Sequence, residues 1–238
     1  MRMGGVAVTL SDALSLKKGI TAIVGGGGKT TLLLRLAREL CEKGSVLVCT
    51  TAHMLMPEGL PLLTNADEDD IKEALQTHRV LCAGEREAQT GKLVAPRLSM
   101  EALEALFDYV LVEADGSKGL PLKAHAGHEP PIPQNAGRIL YVVGVDGIGK
   151  TVAEAAHRPG LYAARIGKTA EHTVTPEDAA RAAMAVNNAV AVVNKVESEE
   201  ALAHARAFCK AYEGRAAICS LKSERPLIEL WENGIRSL

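Results

Sequence analysis

Ile20-Thr-Ala-Ile-Val24-Gly25-Gly26-Gly27-Gly28-Lys29-Thr30-Thr31-Leu-Leu-Leu-Arg35-Leu-Ala-Arg-Glu-Leu40 sets a short apolar run against an amphipathic one, with glycines and a lysine between them. The run Ile20–Val24 reads as a buried strand, and Thr30–Lys43 carries apolar residues at helical spacing. Glycines let backbone N–H groups approach an anion without a Cβ clash, and the helix that follows adds its positive end. At this spacing Lys29 would reach the β- and γ-phosphates of a nucleotide, and the Thr30 hydroxyl would coordinate Mg²⁺. Gly25, Gly26, Gly27, Gly28, Lys29, Thr30 and Thr31 are therefore the candidate cradle for ATP or GTP.

Outward from this stretch, apolar runs alternate with amphipathic ones. Ser45–Cys49, Arg79–Ala83, Tyr109–Glu113, Ile139–Val143, Ala189–Val193 and Ala216–Cys219 read as further strands, several of them apolar throughout, as strands covered on both faces are. Asp67–Thr77, Met100–Leu106, Pro176–Val186, Glu199–Tyr212 and Pro226–Asn233 read as helices. Thr175-Pro176-Glu177-Asp178 supplies an N-cap, a proline at the first helical position and an acid after it. The alternation predicts an α/β fold with a doubly wound, mostly parallel sheet, carried by one domain over residues 1–238. Two irregular stretches, about 115–138 and 147–173, read as long functional loops.

Composition narrows the class. The chain has 238 residues and a formal net charge of -2, with no basic run to indicate a nucleic-acid partner. Aromatics are 3% of residues, so the core must come from Ala, Val, Leu and Ile. No apolar stretch approaches the roughly 20 residues of a membrane helix, and the N-terminus shows no signal peptide. The five scattered cysteines, without a CxxC pair, are expected to be reduced core thiols of a cytoplasmic protein.

A second glycine stretch, Gly144-Val-Asp146-Gly-Ile-Gly149-Lys150-Thr151, matches the P-loop pattern G-x-x-x-x-G-K-S/T in full. The pattern would need glycine at position 23 for the first stretch, where the chain has Ile23, so the first is a deviant Walker A loop. It resembles the shorter G-x-x-G-K-T-T of Mur-type ligases, and Val24 stands where ParA-like proteins carry an extra lysine. The first stretch is nonetheless favoured, because the helix after Thr151 could run only to about His157 before Arg158-Pro159 ends it. Asp146 would also bring a carboxylate towards the phosphates.

The strand ending in Glu113-Ala-Asp115 offers an acid to the metal or to its water, so Glu113 and Asp115 are metal and catalytic candidates together with Lys29 and Thr30. Thr50, Thr51 and His53 end another strand on the ligand side. Asn194-Lys195-Val196-Glu197 resembles the NKxD base-recognition motif of GTPases with Glu in place of Asp, and Ser220-Leu221-Lys222 stands where GTPases carry an SAK-like segment. Asn194 and Lys195 are thus candidate cofactor-binding residues. His125 and His128, followed by Glu129, have the spacing of a metal pair without an evident third ligand.

Together, the glycine-lysine loop, Thr50-Thr-Ala-His53, Glu113-Ala-Asp-Gly-Ser-Lys-Gly-Leu-Pro-Leu-Lys123, His128-Glu-Pro130, Val143-Gly-Val-Asp146 and His157-Arg-Pro159 resemble the YqeC-like family. Its members are regarded as accessory proteins of selenium-dependent molybdenum hydroxylases. Ala52 departs from the third threonine usual there, and His125 lies in a segment usually without it. The resemblance implies a Mg-dependent P-loop nucleoside triphosphatase that matures such a hydroxylase or handles its cofactor. Lys118, Lys123, His128, Glu129 and Arg158, with Thr51 and His53, are the candidates for a second, anionic substrate or client. Two other readings remain open: a small-molecule kinase or ATP-dependent amide ligase, and a nucleotide-switched binding module with little turnover.

Overall fold

The computed structural model describes residues 2–3, 6–127 and 129–238. Its centre is a ten-stranded sheet, whose strands and the helices between them run β1 (Gly19–Gly25), α1 (Lys29–Leu40), β2 (Val46–Thr50), β3 (Leu62–Leu63), α2 (Glu68–Leu75), β4 (Val80–Ala83), α3 (Met100–Leu106), β5 (Tyr109–Glu113), β6 (Arg138–Gly144), α4 (Pro159–Ile166), α5 (Pro176–Ala183), β7 (Ala189–Asn194), α6 (Glu199–Ala211), β8 (Arg215–Cys219), β9 (Leu227–Glu232) and β10 (Ile235–Arg236). Strand order is β10-β9-β8-β7-β6-β1-β5-β2-β4-β3. Strands β1 to β8 pair in parallel, and β9 and β10 close one edge as an antiparallel hairpin. The fold is the doubly wound α/β class that the alternation predicts.

The apolar runs explain why the sheet sits in the middle. Along β1, Ile20, Ala22 and Val24 enter one core and Ile23 the other, so both faces exclude water. One face is covered by α1 through Leu32, Leu33, Leu36 and Leu40, together with a one-turn helix at Leu10–Ala13. The opposite face carries α2 to α6, through residues such as Ile71, Leu103, Ile166, Ala180 and Phe208. The chain places strands on both sides of β1, and the crevice at the carboxyl ends of such strands is where ligands sit in this fold class. No helix among the described residues is long and apolar enough to cross a membrane.

Three expectations are corrected. Pro226–Asn233 is strand β9 and its turn, not a helix. Asn233 and Gly234 both take positive φ, 46° and 78°, the conformation that a two-residue hairpin turn needs and that Asn-Gly favours. Glu229 is buried within β9 because Arg206 of α6 and Arg236 of β10 neutralise it, and Trp231 Nε1 donates to it. The stretch 147–173 is not irregular: it holds a one-turn helix at Val152–Ala155, the pair Ala156–His157 and helix α4. Arg158-Pro159 begins α4 rather than only ending what precedes it, since proline at the first helical position loses no hydrogen bond. The stretch 115–138 is likewise partly built in, as Leu122–Lys123 pairs in parallel with Ala156–His157.

Candidate functional site

The four glycines join the carboxyl end of β1 to the first turn of α1. A Cβ on Gly25 would stand 2.3 Å from the Val142 carbonyl oxygen, and one on Gly27 2.3 Å from the Gly144 backbone nitrogen, both at positive φ. The loop is therefore wedged between the β6 backbone and the Leu120-Pro121 backbone, a fit that any side chain would break. Three of its N–H groups are consumed there: Gly25 donates to Asp115 Oδ2, Gly26 to the Val142 carbonyl and Gly27 to the Leu120 carbonyl. The amides of Gly28, Lys29, Thr30 and Thr31 have no acceptor among the described residues, and α1 has no side-chain cap. The amides open to an anion thus lie further towards the helix than a cradle drawn from Gly25 onward.

Lys29 is almost fully buried, at 4% exposure. Its Nζ donates to the Gly25 carbonyl (2.8 Å) and to Ser117 Oγ (3.2 Å), and pairs with Asp115 Oδ1 at 3.2 Å. Thr30 Oγ1 donates to Glu113 Oε2 at 2.8 Å, so the hydroxyl and the carboxylate expected beside a cation adjoin each other. Glu113 is held in place through its backbone, whose carbonyl accepts from the Thr50 hydroxyl at 2.6 Å.

The two acids differ in kind. Burial pushes the Glu113 carboxyl up, against the smaller opposing pull of Lys29 and Thr30. Burial also works against Asp115, but the His125 hydrogen bond, Lys29, Lys123 and the Gly25 N–H overcome it and hold the carboxyl at about 2. Asp115 Oδ2 is shared by the Gly25 N–H, His125 Nε2 at 2.6 Å and Lys123 at 3.4 Å. Asp115 Oδ1 accepts no hydrogen bond and lies buried 3.2 Å from the Lys29 ammonium; with Oδ2 shared three ways and the carboxylate off the cleft lining, Asp115 organises the loop and is ill suited to coordinate an outer metal. His125 therefore serves Asp115 rather than a metal pair, and it packs edge-on against Tyr141. No group of three His, Cys, Asp or Glu side chains suited to a metal occurs among the described residues, and His128 lies outside them. Sequence reading missed Ser117, whose contact with Lys29 has no local signal.

Asn194 is buried beneath the loop: its Nδ2 donates to the Gly27 carbonyl at 2.9 Å and its Oδ1 accepts from Leu221 N at 3.0 Å. It ties the glycine loop to the Ser220–Lys222 turn, which commits one of its two N–H donors and one lone pair of its oxygen to the backbone. Lys195 pairs with Asp146 at 2.8 Å, and Glu197 is exposed outside the cleft. The full P-loop match at Gly144–Thr151 forms a turn of 3₁₀ helix, and at its end Thr151 precedes the one-turn helix Val152–Ala155, its backbone N–H and hydroxyl both donating to Glu154. Gly144 itself serves the first loop, since it is the backbone against which Gly27 packs.

A cleft of about 830 Å³ opens over Gly27–Thr31 and Glu113. Lys195 and Lys222 stand on its walls, as do His53, Lys92, Lys118, Glu129 and His157. Lys123 and Arg158 do not line it: Lys123 is 1% exposed and donates to the Gly116 carbonyl, and Arg158 pairs with Glu129 at 2.8 Å. Thr51 is likewise turned away, its hydroxyl donating to the Pro131 carbonyl, and His53 pairs with Glu87.

Fold and site together define a doubly wound α/β protein whose glycine loop heads the helix after its central strand. A family profile described as "YqeC protein" matches residues 21–160, the span from β1 through the start of α4. The chain is also 36% identical over 168 residues to "Uncharacterized protein YqeC" of Escherichia coli (strain K12), covering 67% of this chain and 65% of that relative's length. The chain belongs to the YqeC family.

Proposed function

We propose that this protein is a cytoplasmic P-loop nucleotide-binding enzyme that takes Mg-ATP or Mg-GTP at Gly28–Thr31 and hydrolyses it. The observation that carries the reading is the convergence, at the mouth of one cleft, of four unpaired N–H groups, the Lys29 ammonium and the Thr30–Glu113 pair. Amides at a helix start and a buried lysine fit a polyphosphate, and their fixed positions stabilise charge that moves on to the transferred phosphoryl group. The donor set also fits Mg²⁺, a hard cation that takes a hydroxyl and a carboxylate and draws its remaining ligands from phosphates and water. Thr30 and Glu113 would hold the ion, which supplies charge neutralisation on the phosphates. Asp115 fixes Lys29 and the Gly25 amide from behind.

The process served, maturation of a selenium-dependent molybdenum hydroxylase, is supported by the likeness of the 113–130 segment to the family and by nothing in the geometry. A second reading, transfer of the phosphoryl group to a small molecule, is favoured by the continuation of the cleft past Glu113 to Glu129 and His157. Calorimetric titration with ADP, ATP, GDP and GTP, with and without Mg²⁺, tests the reading, followed by separation of the products of turnover. Free phosphate supports hydrolysis and a phosphorylated small molecule supports transfer. Absence of binding by any nucleotide at millimolar concentration would end both.

A further inference from the structure

The cleft is unevenly charged. The whole chain is net -2, yet five lysines (Lys29, Lys92, Lys118, Lys195 and Lys222) line the cleft against two acids, Glu113 and Glu129, with Glu87 paired to His53 at the wall. Glu129 is already answered twice, by Arg158 at 2.8 Å and by the buried Lys123 at 3.7 Å. Lys92 and Lys118 make no ion pair among the described residues. His157 registers the resulting field: its pKa is lowered by burial first and then by Lys123, Arg158 and Lys118, with only Glu129 opposing. Lys118 projects from a short turn, Gly116–Gly119, that touches Lys29 through Ser117, so the end of the cleft beyond Glu113 adjoins the lysine of the glycine loop.

We infer that this end of the cleft is a subsite for a second substrate bearing a phosphate group, held by Lys92, Lys118 and His157. The inference rests on the nucleotide reading and narrows it to a reaction between a nucleotide and a phosphorylated small molecule. Phosphate suits the site better than a planar carboxylate does. The one guanidinium nearby already donates an N–H to Glu129 at 2.8 Å, which leaves lysines acting as movable point charges. Residues 92, 118 and 157 come from three separate parts of the chain, so the subsite exists only in the folded protein.

The test is calorimetric titration of inorganic phosphate and of glycerol phosphate in two arms. In the first, the protein is saturated with Mg-ADP, so the glycine loop is filled. In the second, nucleotide-free Lys29→Ala protein is used, so the loop is disabled. Binding is expected in both arms, weakened about tenfold or more by the double substitution Lys92→Ala/Lys118→Ala, with affinity for ADP within about twofold of the parent. Equal phosphate affinity in the parent and the double variant overturns the subsite. So does binding that vanishes with Lys29→Ala alone, which would assign the phosphate to the nucleotide's terminal position. If ADP does not bind, Mg-GDP fills the loop in the first arm; if neither binds, the nucleotide reading fails, and the second arm still decides the subsite.

Discussion

At the scale of single residues, two buried acids two positions apart have opposite relations to stability. The folded-state pKa of Asp115 is depressed to about 2 from 3.8, so its contribution is complete above pH 3.8 and is lost as pH falls through about 2. That contribution is on the order of 2 kcal/mol, and Asp115→Asn should cost more, about 3 kcal/mol, because Lys29 and Lys123 would remain buried without their shared anion. Glu113 has a raised pKa, so its ionised form costs stability above its unfolded pKa and that cost is relieved as pH falls. Glu113→Gln is therefore expected to unfold no earlier in urea than the parent while losing the Mg²⁺ dependence of nucleotide binding. Lower urea stability for Glu113→Gln than for Asp115→Asn would reverse the assignment of the two roles. Lys29→Ala should lower nucleotide affinity by about a hundredfold, whereas Lys150→Ala, at an exposed residue beside a 3₁₀ turn, should leave it within about twofold. Equal losses in the two variants would move the phosphate site to the second loop. Lys29 and Glu113 could be picked out from spacing alone. Asp115's service to the loop could not, because it depends on His125, Ser117 and Gly25 meeting it in space.

At the scale of elements, the glycine loop is a backbone joint. Gly27→Ala would put a Cβ 2.3 Å from Gly144 N and 2.4 Å from its Cα, at φ 78°. Neither backbone can retreat without breaking the β6 pairing, so a loss of roughly 3 kcal/mol is expected in urea unfolding. Asn194→Ala removes the strap between this loop and Leu221 and strands the Gly27 carbonyl and the Leu221 N–H. It should cost about 2 kcal/mol and raise the Kd for nucleotide, with ADP and GDP affected alike, because Asn194 acts through the loop and not on a base. A selective loss of GDP affinity would instead restore a base-reading role for Asn194. The elements that sequence reading placed well, β1, β5, β7, α1 and α6, are long and apolar or clearly amphipathic. Pro226–Asn233 reads as a helix because Leu227, Leu230 and Trp231 stand at helical spacing; in the strand Leu230 and Trp231 enter opposite cores. The burial of Glu229 by two arginines, together with the Asn233-Gly234 turn, settles it as a strand.

At the scale of the whole molecule, the loop following β5 is only partly free to respond to a ligand. Asp115, Ser117, Leu122, Lys123 and Ala124 are buried, and Leu122–Lys123 is paired to Ala156–His157. Within residues 115–124, closure over a nucleotide is therefore confined to the turn around Lys118 and Gly119, where a Cβ on Gly116 or Gly119 would meet open space. Hydrogen exchange is expected to show new protection at 116–120 with a non-hydrolysable triphosphate and little change at 122–124; protection spread evenly over 115–138 would contradict this anchoring. Local information was enough to determine the doubly wound parallel sheet, the glycine-lysine loop at the head of a long helix and an acid at the end of a neighbouring strand. Each of these is written in residues close together in the chain, through apolar periodicity, the special backbone of glycine and the orphan amides of a helix start. Tertiary structure alone decided which amides stay open to an anion, which acid faces the cleft and which cations stay unpaired. Those outcomes turn on contacts between segments tens of residues apart, such as Gly25 with Asp115 and Gly27 with Asn194, and on burial that separates two neighbouring carboxylates into different electrostatic surroundings.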